Sequence, residues 1–200
     1  SRFESGNLWK AVRVAESEYN LVLRPDLTTG GCLWFYFLAQ NMAKGVTYTF
    51  NLVNLYKERS MYSSGLRPLL WSEKEYEESG KGWHRTGDNI SYFENTTRRK
   101  NGSNHYTLSF QVRFPHKNDT AFLAMCFPYT YTDLQDYLTI LEKDELTSAT
   151  FTRTELCRTL GGNRCDLLEI TALPKPGNQV SDRPVMVISG RVHPGESNAS

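Results

Sequence analysis

The chain has 200 residues, a formal net charge of +1 and 12% aromatic residues. A charge so close to zero gives no general attraction to nucleic acid, to a membrane surface or to an acidic protein tail. The sequence contains no apolar stretch long enough to span a bilayer, and it shows no signal-peptide pattern. Composition therefore predicts a soluble globular protein of one or two domains, with no nucleic-acid partner and no membrane partner.

The first part of the chain has the period-two pattern of β-strands. From Val46 to Leu52 and from Tyr106 to Phe114, apolar residues alternate with polar ones, as in strands that bury one face. The strand candidates in this part are 19–23, 34–38, 46–52, 106–114 and 121–127. Because such short strands separated by turn signals are typical of two packed sheets, residues 1–128 are predicted to form an antiparallel β-sandwich.

After Pro128 the pattern changes. Thr132 and Gln135 match a capping box, and leucines at helical spacing follow, so residues 132–143 predict a helix. Residues 150–160 and 164–173 read as two strands joined by a tight turn. The short apolar run from Pro184 to Gly190 predicts another strand, buried on both faces of a parallel or mixed sheet.

Directly after that run, His193 and Glu196 stand three positions apart on a tight turn. Zinc binds imidazole nitrogen and carboxylate oxygen, and a catalytic zinc site has three protein ligands and a water. We therefore predict that His193 and Glu196 bind zinc, with the third ligand beyond residue 200. The segment from His193 to Glu196 also suits a surface turn with two polar side chains. However, it directly follows a predicted strand, and active sites of open α/β sheets lie at the carboxyl ends of strands, which favours a metal site. Ser197 is predicted to cap a helix.

Other polar residues are predicted to have structural roles. His84 and His105 are expected to be exposed or hydrogen-bonded rather than metal ligands, and His116, at a strand end, is expected to be a turn residue. Arg67 is expected to structure a loop. Residues 73–78 predict an exposed acidic helix or loop. The cysteines are Cys32, Cys126, Cys157 and Cys165. We expect reduced thiols, and the absence of a C-x-x-C pair argues against a structural zinc site.

Several segments, in this order along the chain, resemble one family. They are Phe3–Leu8, Trp34–Phe37, Gly65–Leu69, Phe114–His116, Pro128–Thr132, Leu160–Asn163 and Arg191–Asn198. The family is that of the cytosolic carboxypeptidases, metallocarboxypeptidases that trim glutamates from tubulin tails and other proteins. The resemblance implies an N-terminal β-sandwich domain over residues 1–128. Residues 129–200 would be the truncated N-terminal portion of an α/β zinc carboxypeptidase catalytic domain.

The resemblance also implies a function and a cofactor. The complete enzyme would hold one zinc ion, act in the cytoplasm and remove C-terminal or side-chain glutamates from polyglutamylated tails such as those of tubulin. Its general base and substrate-binding residues would lie downstream, so no catalytic residue is expected within this chain, and the isolated chain is expected to be inactive. The alternative is a β-sandwich protein-interaction module without catalytic activity. A further His and Glu in the rest of the reading frame would distinguish the two.

Overall fold

The structure is a computed structural model that describes residues 2–27, 30–172 and 183–200. Contacts within the chain define two compact units. The first unit is Ser1–Pro128 together with Arg191–Ser200, and the second unit is Tyr129–Gly190. The assignment of residues 129–200 to a single catalytic domain stays a prediction. None of the helices in the described part of the chain is long and apolar enough to cross a membrane.

The first unit contains two β-sheets. Its strands are β1 (Leu8–Ala15), β2 (Glu18–Leu23), β3 (Tyr36–Gln40), β4 (Thr47–Leu55), β5 (Leu69–Ser72), β6 (His84–Arg85), β7 (Asp88–Arg98), β8 (Asn104–Arg113) and β9 (Thr120–Ala124). One sheet has the order β1-β2-β4-β8-β7, and the other has the order β3-β9-β5-β6. Neighbouring strands run antiparallel except β2 and β4, which pair in parallel with Glu18 opposite Thr49.

The core lies between the two sheets. Phe50 and Phe110 come from the first sheet and Phe37 from the second, and all three are almost completely buried. The rings of Phe37 and Phe50 are 5.8 Å apart, and those of Phe50 and Phe110 are 5.9 Å apart. Aromatic side chains of this size contribute much of the apolar area that a sandwich buries. The predicted β-sandwich is therefore confirmed, with one parallel pair among its antiparallel strands.

All five predicted strand segments of the first unit correspond to observed strands, whereas β1, β5, β6 and β7 were not predicted. In β1 every residue after Leu8 is exposed, so no buried face is available to create a period-two signal. The acidic segment forms helix α1 (Glu73–Ser79), which is capped by the side chain of Ser72 and whose side chains all remain at least partly exposed. A short 3-10 helix covers Met61–Ser64.

The second unit contains helices α2 (Tyr131–Lys143) and α3 (Glu145–Ser148) and the hairpin of β10 (Phe151–Arg158) and β11 (Arg164–Ile170). The predicted helix and both predicted strands are thus present, although Leu173 lies outside the described residues. The predicted capping box was displaced by two residues. Thr130, not Thr132, accepts from the Asp133 amide, and Asp133 accepts from the Thr130 amide in return.

A buried ionic network connects α2 to the hairpin. Arg153 on β10 donates from Nε to Asp166 Oδ1 at 2.8 Å, and Gln135 on α2 donates to Asp166 Oδ2 at 2.8 Å. Arg153 also donates to Gln135 Oε1, and the Arg164 guanidinium lies 2.7 Å from Asp166. The side chains of Arg153 and Asp166 are only 6% and 4% exposed. This network connects elements that share few buried apolar side chains.

The strand predicted for Pro184–Gly190 is wrong for this structure. Residues 184–190 have no regular secondary structure, and Val185, Met186, Val187 and Ile188 are each more than four-fifths exposed. A strand buried on both faces needs a neighbouring strand for its backbone groups and layers on both sides for its side chains. In the described part of this chain no strand pairs with the segment.

Candidate metal centre

His193 and Glu196 lie on one tight turn near the carboxyl end of the chain. The Glu196 amide donates to the His193 carbonyl at 3.0 Å, which closes the turn. Both side chains are exposed, and within the described residues neither has a hydrogen-bond or ion-pair partner. The structure therefore places an imidazole and a carboxylate on one short turn, free to take a ligand.

Arg191 braces this turn from within. Its guanidinium donates to the Pro194 carbonyl from Nη2 at 2.8 Å and from Nε at 3.2 Å, and Nη1 reaches the Ser200 hydroxyl at 2.8 Å. The Arg191 backbone is left-handed, with φ of 52°. A non-glycine residue adopts this conformation at a cost, so the surrounding contacts must hold it.

Ser197 attaches the turn to the sandwich rather than capping a helix. Its hydroxyl donates to the Phe127 carbonyl at 2.6 Å, and Ser197 is only 6% exposed. The predicted helix N-cap is therefore wrong. A 3-10 helix covers Ser197–Ala199, and the residue before it, Glu196, makes no side-chain cap. The serine hydroxyl is used for a long-range bond, so it does not cap the helix.

Gly195 brings the same turn against Trp34. A Cβ atom built on Gly195 would lie 3.4 Å from Trp34 Cβ and 3.9 Å from the Trp34 backbone nitrogen. The segment Trp34–Phe37 was expected to belong to the core. Phe35 and Phe37 do so, at 1% and 2% exposure, whereas Trp34 is only half-buried and forms part of the surface that receives the turn.

The donor chemistry of the turn suits zinc, but the site is incomplete within the described residues. Imidazole and carboxylate are both common zinc ligands, and a catalytic site needs three such protein ligands. No group of three or more His, Cys, Asp or Glu side chains suited to a metal occurs in the described ranges. The turn thus fits two of the ligands of one ion, and any further ligand must come from residues outside those ranges.

The remaining histidines have contacts elsewhere in the first unit. His84 Nδ1 lies 3.1 Å from the Gly82 carbonyl oxygen, and His116 Nδ1 lies 3.7 Å from a carboxylate oxygen of Glu78. His105 packs against the Tyr56 ring at 5.3 Å, and burial lowers the pKa of its imidazole. Histidines in such contacts are occupied by structural roles.

Arg67 and the cysteines also have assignable surroundings. Arg67 donates to the Gly87 carbonyl and to Asp88 at 3.1 Å, so it structures a loop as predicted. All four cysteines, each within the described ranges, are free thiols. Cys157 and Cys165 stand opposite each other in the β10-β11 hairpin, whereas Cys32 is buried in the sandwich. Burial raises the pKa of Cys32 to about 11.

Comparison with known proteins identifies the class to which this architecture belongs. A family model described as the cytosolic carboxypeptidase N-terminal domain matches residues 1–126. The chain is 45% identical over 204 residues to cytosolic carboxypeptidase 2 of Danio rerio and 44% identical over 214 residues to cytosolic carboxypeptidase 4 of Homo sapiens. The alignments cover all of this chain, and 28% and 19% of those proteins. The chain therefore belongs to the cytosolic carboxypeptidase family.

Solved structures show the same fold. A metallo-carboxypeptidase from Pseudomonas aeruginosa, in complex with (2-guanidinoethylmercapto)succinic acid, superposes with a TM-score of 0.59 at 22% identity, over 86% of this chain and 40% of that protein. A metallo-carboxypeptidase from Burkholderia cenocepacia gives a TM-score of 0.62 at 15% identity, over 90% of this chain and 40% of that protein. Over the aligned residues, this chain thus shares the fold of part of each of these metallo-carboxypeptidases.

Proposed function

We propose that this chain is the N-terminal part of a zinc-dependent metallocarboxypeptidase, in which His193 and Glu196 are two of the zinc ligands. The observation that carries the proposal is the pair of exposed ligand side chains on one braced turn, in a chain of the cytosolic carboxypeptidase family. The chain spans only 28% of the length of one of these relatives and 19% of another. The activity is therefore proposed for a longer protein.

The chemistry follows from the ligand set. When bound, zinc polarises a carbonyl and lowers the pKa of its water to about 7. In this chain, Arg191 and the turn hydrogen bond set the positions from which His193 and Glu196 can reach one ion. We propose that the third ligand, the general base and the basic residues that bind substrate lie beyond residue 200. The 200-residue chain on its own is accordingly inactive.

The proposed substrates are C-terminal or side-chain glutamates of proteins, with polyglutamylated tails such as those of tubulin as the protein class, in the cytoplasm. The relatives carry the name cytosolic carboxypeptidase, which supports a carboxypeptidase activity and the cytoplasm, whereas the glutamate substrates are proposed from the sequence resemblance. The net charge of +1 adds no support, since it creates no field that would attract an acidic tail. Residues of a longer protein must supply that attraction.

Exposed apolar side chains of the second unit support the proposal that residues 129–200 begin a larger catalytic domain. Val187 and Ile188 are 87% and 85% exposed, and Ile170 of β11 is 76% exposed. Contiguous exposed apolar surface commonly marks a region that another part of a protein covers. We propose that later strands and helices of the catalytic domain cover them.

The test compares two lengths of protein. On both the 200-residue chain and the complete protein, zinc binding is measured by calorimetry, and glutamate release is measured with a polyglutamylated peptide. We expect the complete protein to bind one zinc ion and to release glutamate, and His193→Ala to abolish both. The matched control is His116→Ala, which removes an imidazole on a loop of the sandwich.

Each result has a defined meaning. Full activity of the complete His193→Ala protein would contradict the ligand assignment. Turnover or sub-micromolar zinc binding by the 200-residue chain would contradict the proposal that essential groups lie beyond residue 200. A complete protein that binds no zinc but binds a protein partner through its sandwich would favour the alternative, an interaction module.

A further inference from the structure

We infer that the β-sandwich positions the metal-binding turn through an anchor made of Trp34, Phe127, Gly195 and Ser197. This inference rests on the proposed zinc ligation. The sandwich thereby takes part in building the proposed metal centre, and Ser197 and Trp34 are positioning residues that act through His193 and Glu196. Four independent features of the structure support it.

The first feature is the bond between Ser197 and Phe127. It joins positions 70 residues apart at 2.6 Å, and it starts from a residue that directly follows the ligand Glu196. Ser197 is almost completely buried although its neighbours Glu196 and Asn198 are exposed. Ser197 is therefore the point at which this exposed segment is held in the sandwich, so that moving Glu196 away from the sandwich would strain the Ser197 bond.

The second feature is the absence of a side chain at Gly195. The 3.4 Å separation between its constructed Cβ and Trp34 Cβ is the limit of ordinary contact. A larger side chain would push the turn away from Trp34 or displace the indole. The turn between the two ligands thus approaches the sandwich closely at Gly195 and is joined to it at Ser197 by a hydrogen bond.

The third feature is the rigidity of the receiving surface. Trp34 donates from Nε1 to the Ser5 carbonyl at 3.0 Å, and its own carbonyl accepts from Asn7 Nδ2 at 2.7 Å. Asn7 Oδ1 in turn accepts from the Tyr36 amide at 3.1 Å. Three separate hydrogen bonds therefore fix the strand-like segment that carries Trp34, and they give the turn a defined platform.

The fourth feature is the state of the ligands themselves. The side chains of His193 and Glu196 make no hydrogen bond or ion pair within the described residues, so their positions depend on the backbone of the turn. Arg191 braces that backbone internally through the Pro194 carbonyl, but this bond cannot orient the turn relative to the rest of the protein. Among the described residues, the Ser197 hydrogen bond does so, and the close approach of Gly195 to Trp34 limits movement toward the sandwich. Groups that orient metal ligands in this way commonly affect metal affinity.

The experiment separates the anchor from the metal. In the zinc-free 200-residue chain, hydrogen exchange of the 191–200 peptide is compared between the unchanged protein and Ser197→Ala. Losing one hydrogen bond of this kind should accelerate exchange about threefold to tenfold. Ser197→Thr retains the hydroxyl and should restore slow exchange. Ser64→Ala makes the same chemical change at an exposed position of the 3-10 helix and should leave exchange unchanged.

Zinc affinity of the complete protein is the second measurement. Ser197→Ala should weaken zinc binding about tenfold, as changes behind a metal ligand commonly do, and Ser197→Thr should recover it. Gly195→Val should weaken it as well, because the added methyl groups separate the turn from Trp34. The melting temperature of the sandwich should stay within the scatter of the Ser64→Ala control. If Ser197 had only a structural role, Ser197→Ala would instead lower the melting temperature and leave zinc affinity unaltered.

The outcomes distinguish the two proposals. Unchanged exchange in Ser197→Ala, or zinc affinity that Ser197→Thr fails to recover, overturns the anchor while the zinc ligation can still stand. If the unchanged complete protein binds no zinc but Ser197→Ala still accelerates exchange of residues 191–200, the proposed function fails and the anchoring of the turn stands.

Discussion

Leu52, Leu108 and Leu123 of the sandwich have no exposed surface, whereas Leu160 and Ile170 of the hairpin unit are 88% and 76% exposed. Both units contain similar apolar residues, but only the first encloses them between two layers. Within the described part of the second unit, Leu138 is the one apolar side chain that is buried. Two packed sheets form a core by themselves, whereas one helix against one hairpin cannot cover both faces.

In the second unit, the enclosed side chains are mostly charged or polar, whereas in the first unit they are mostly apolar. Two of its charged side chains, Arg153 and Asp166, are only 6% and 4% exposed, and they pair with each other and with Gln135. A buried ion pair adds little net stability compared with an apolar core, but removing one partner is costly because the other charge remains buried. The comparison therefore predicts different sensitivities to mutation in the two units.

The largest expected effect is the loss of a core leucine. Leu52→Ala should lower the free energy of unfolding by about 2–5 kcal/mol, because it removes buried apolar atoms and leaves a cavity. Leu160→Ala, the same change at an exposed position, should have an effect of about 0.5 kcal/mol or less. Urea denaturation followed by far-UV circular dichroism measures both. Equal effects at the two positions would contradict the difference in burial.

An intermediate effect is expected at the ionic network. Asp166→Asn should lower the stability of the second unit by about 2 kcal/mol, since hydrogen bonds to a charged group are lost and Arg153 stays buried. Hydrogen exchange of residues 151–158 and 164–170 measures the change, and exchange of the sandwich should not alter. The control is Glu155→Gln, which removes an exposed ion pair with Arg158 at 2.9 Å and should matter little.

A smaller effect is expected from acidification. Burial raises the pKa of Asp166, but hydrogen bonds from Arg153 and Gln135 and the charges of Arg153 and Arg164 outweigh it and hold the pKa below its ordinary value of 3.8. A carboxyl with a lowered folded-state pKa contributes stability above its unfolded pKa. That stability is lost as pH falls through the lower folded value.

The carboxyl carbon of Asp166, followed by NMR, should accordingly titrate with a midpoint below 3.8. Arg153→Gln should raise the midpoint, because it removes a donor and a charge 2.8 Å from the carboxylate while burial remains. A midpoint at or above 3.8 in the unchanged protein would show that the network does not stabilise the carboxylate.

The sequence predicts the sandwich because its central strands alternate. Tyr48, Phe50 and Leu52 of β4 all point into the core, and period two follows directly from the pleat. The edge strand β1 and the parallel pairing of β2 with β4 escaped prediction, since neither creates a local pattern. The exposed run of residues 184–190 was predicted to be a strand because its apolar composition indicates burial without showing what would cover it.

The candidate site likewise contains residues that the sequence predicts and residues that only the fold reveals. His193 and Glu196 are recognisable from their types and spacing, which are local. Trp34 and Phe127 are not, because they meet the turn only through the tertiary fold, across 70 positions in the case of Phe127. The sequence does show a serine directly after the turn at Ser197, but this pattern equally suits a helix cap and does not indicate a long-range hydrogen bond. The local pattern predicts the ligands, and only the fold shows which residues hold the turn that carries them.

The smallest expected effect on stability concerns a proposed ligand. His193→Ala should change the free energy of unfolding of the first unit by about 0.5 kcal/mol or less, because the side chain is exposed and contributes little burial. Far-UV circular dichroism in urea, on the zinc-free chain, measures this. Loss of several kcal/mol would mean that the imidazole packs against the sandwich. A near-zero result, together with loss of zinc binding in the complete protein, would assign His193 to the metal rather than to the fold.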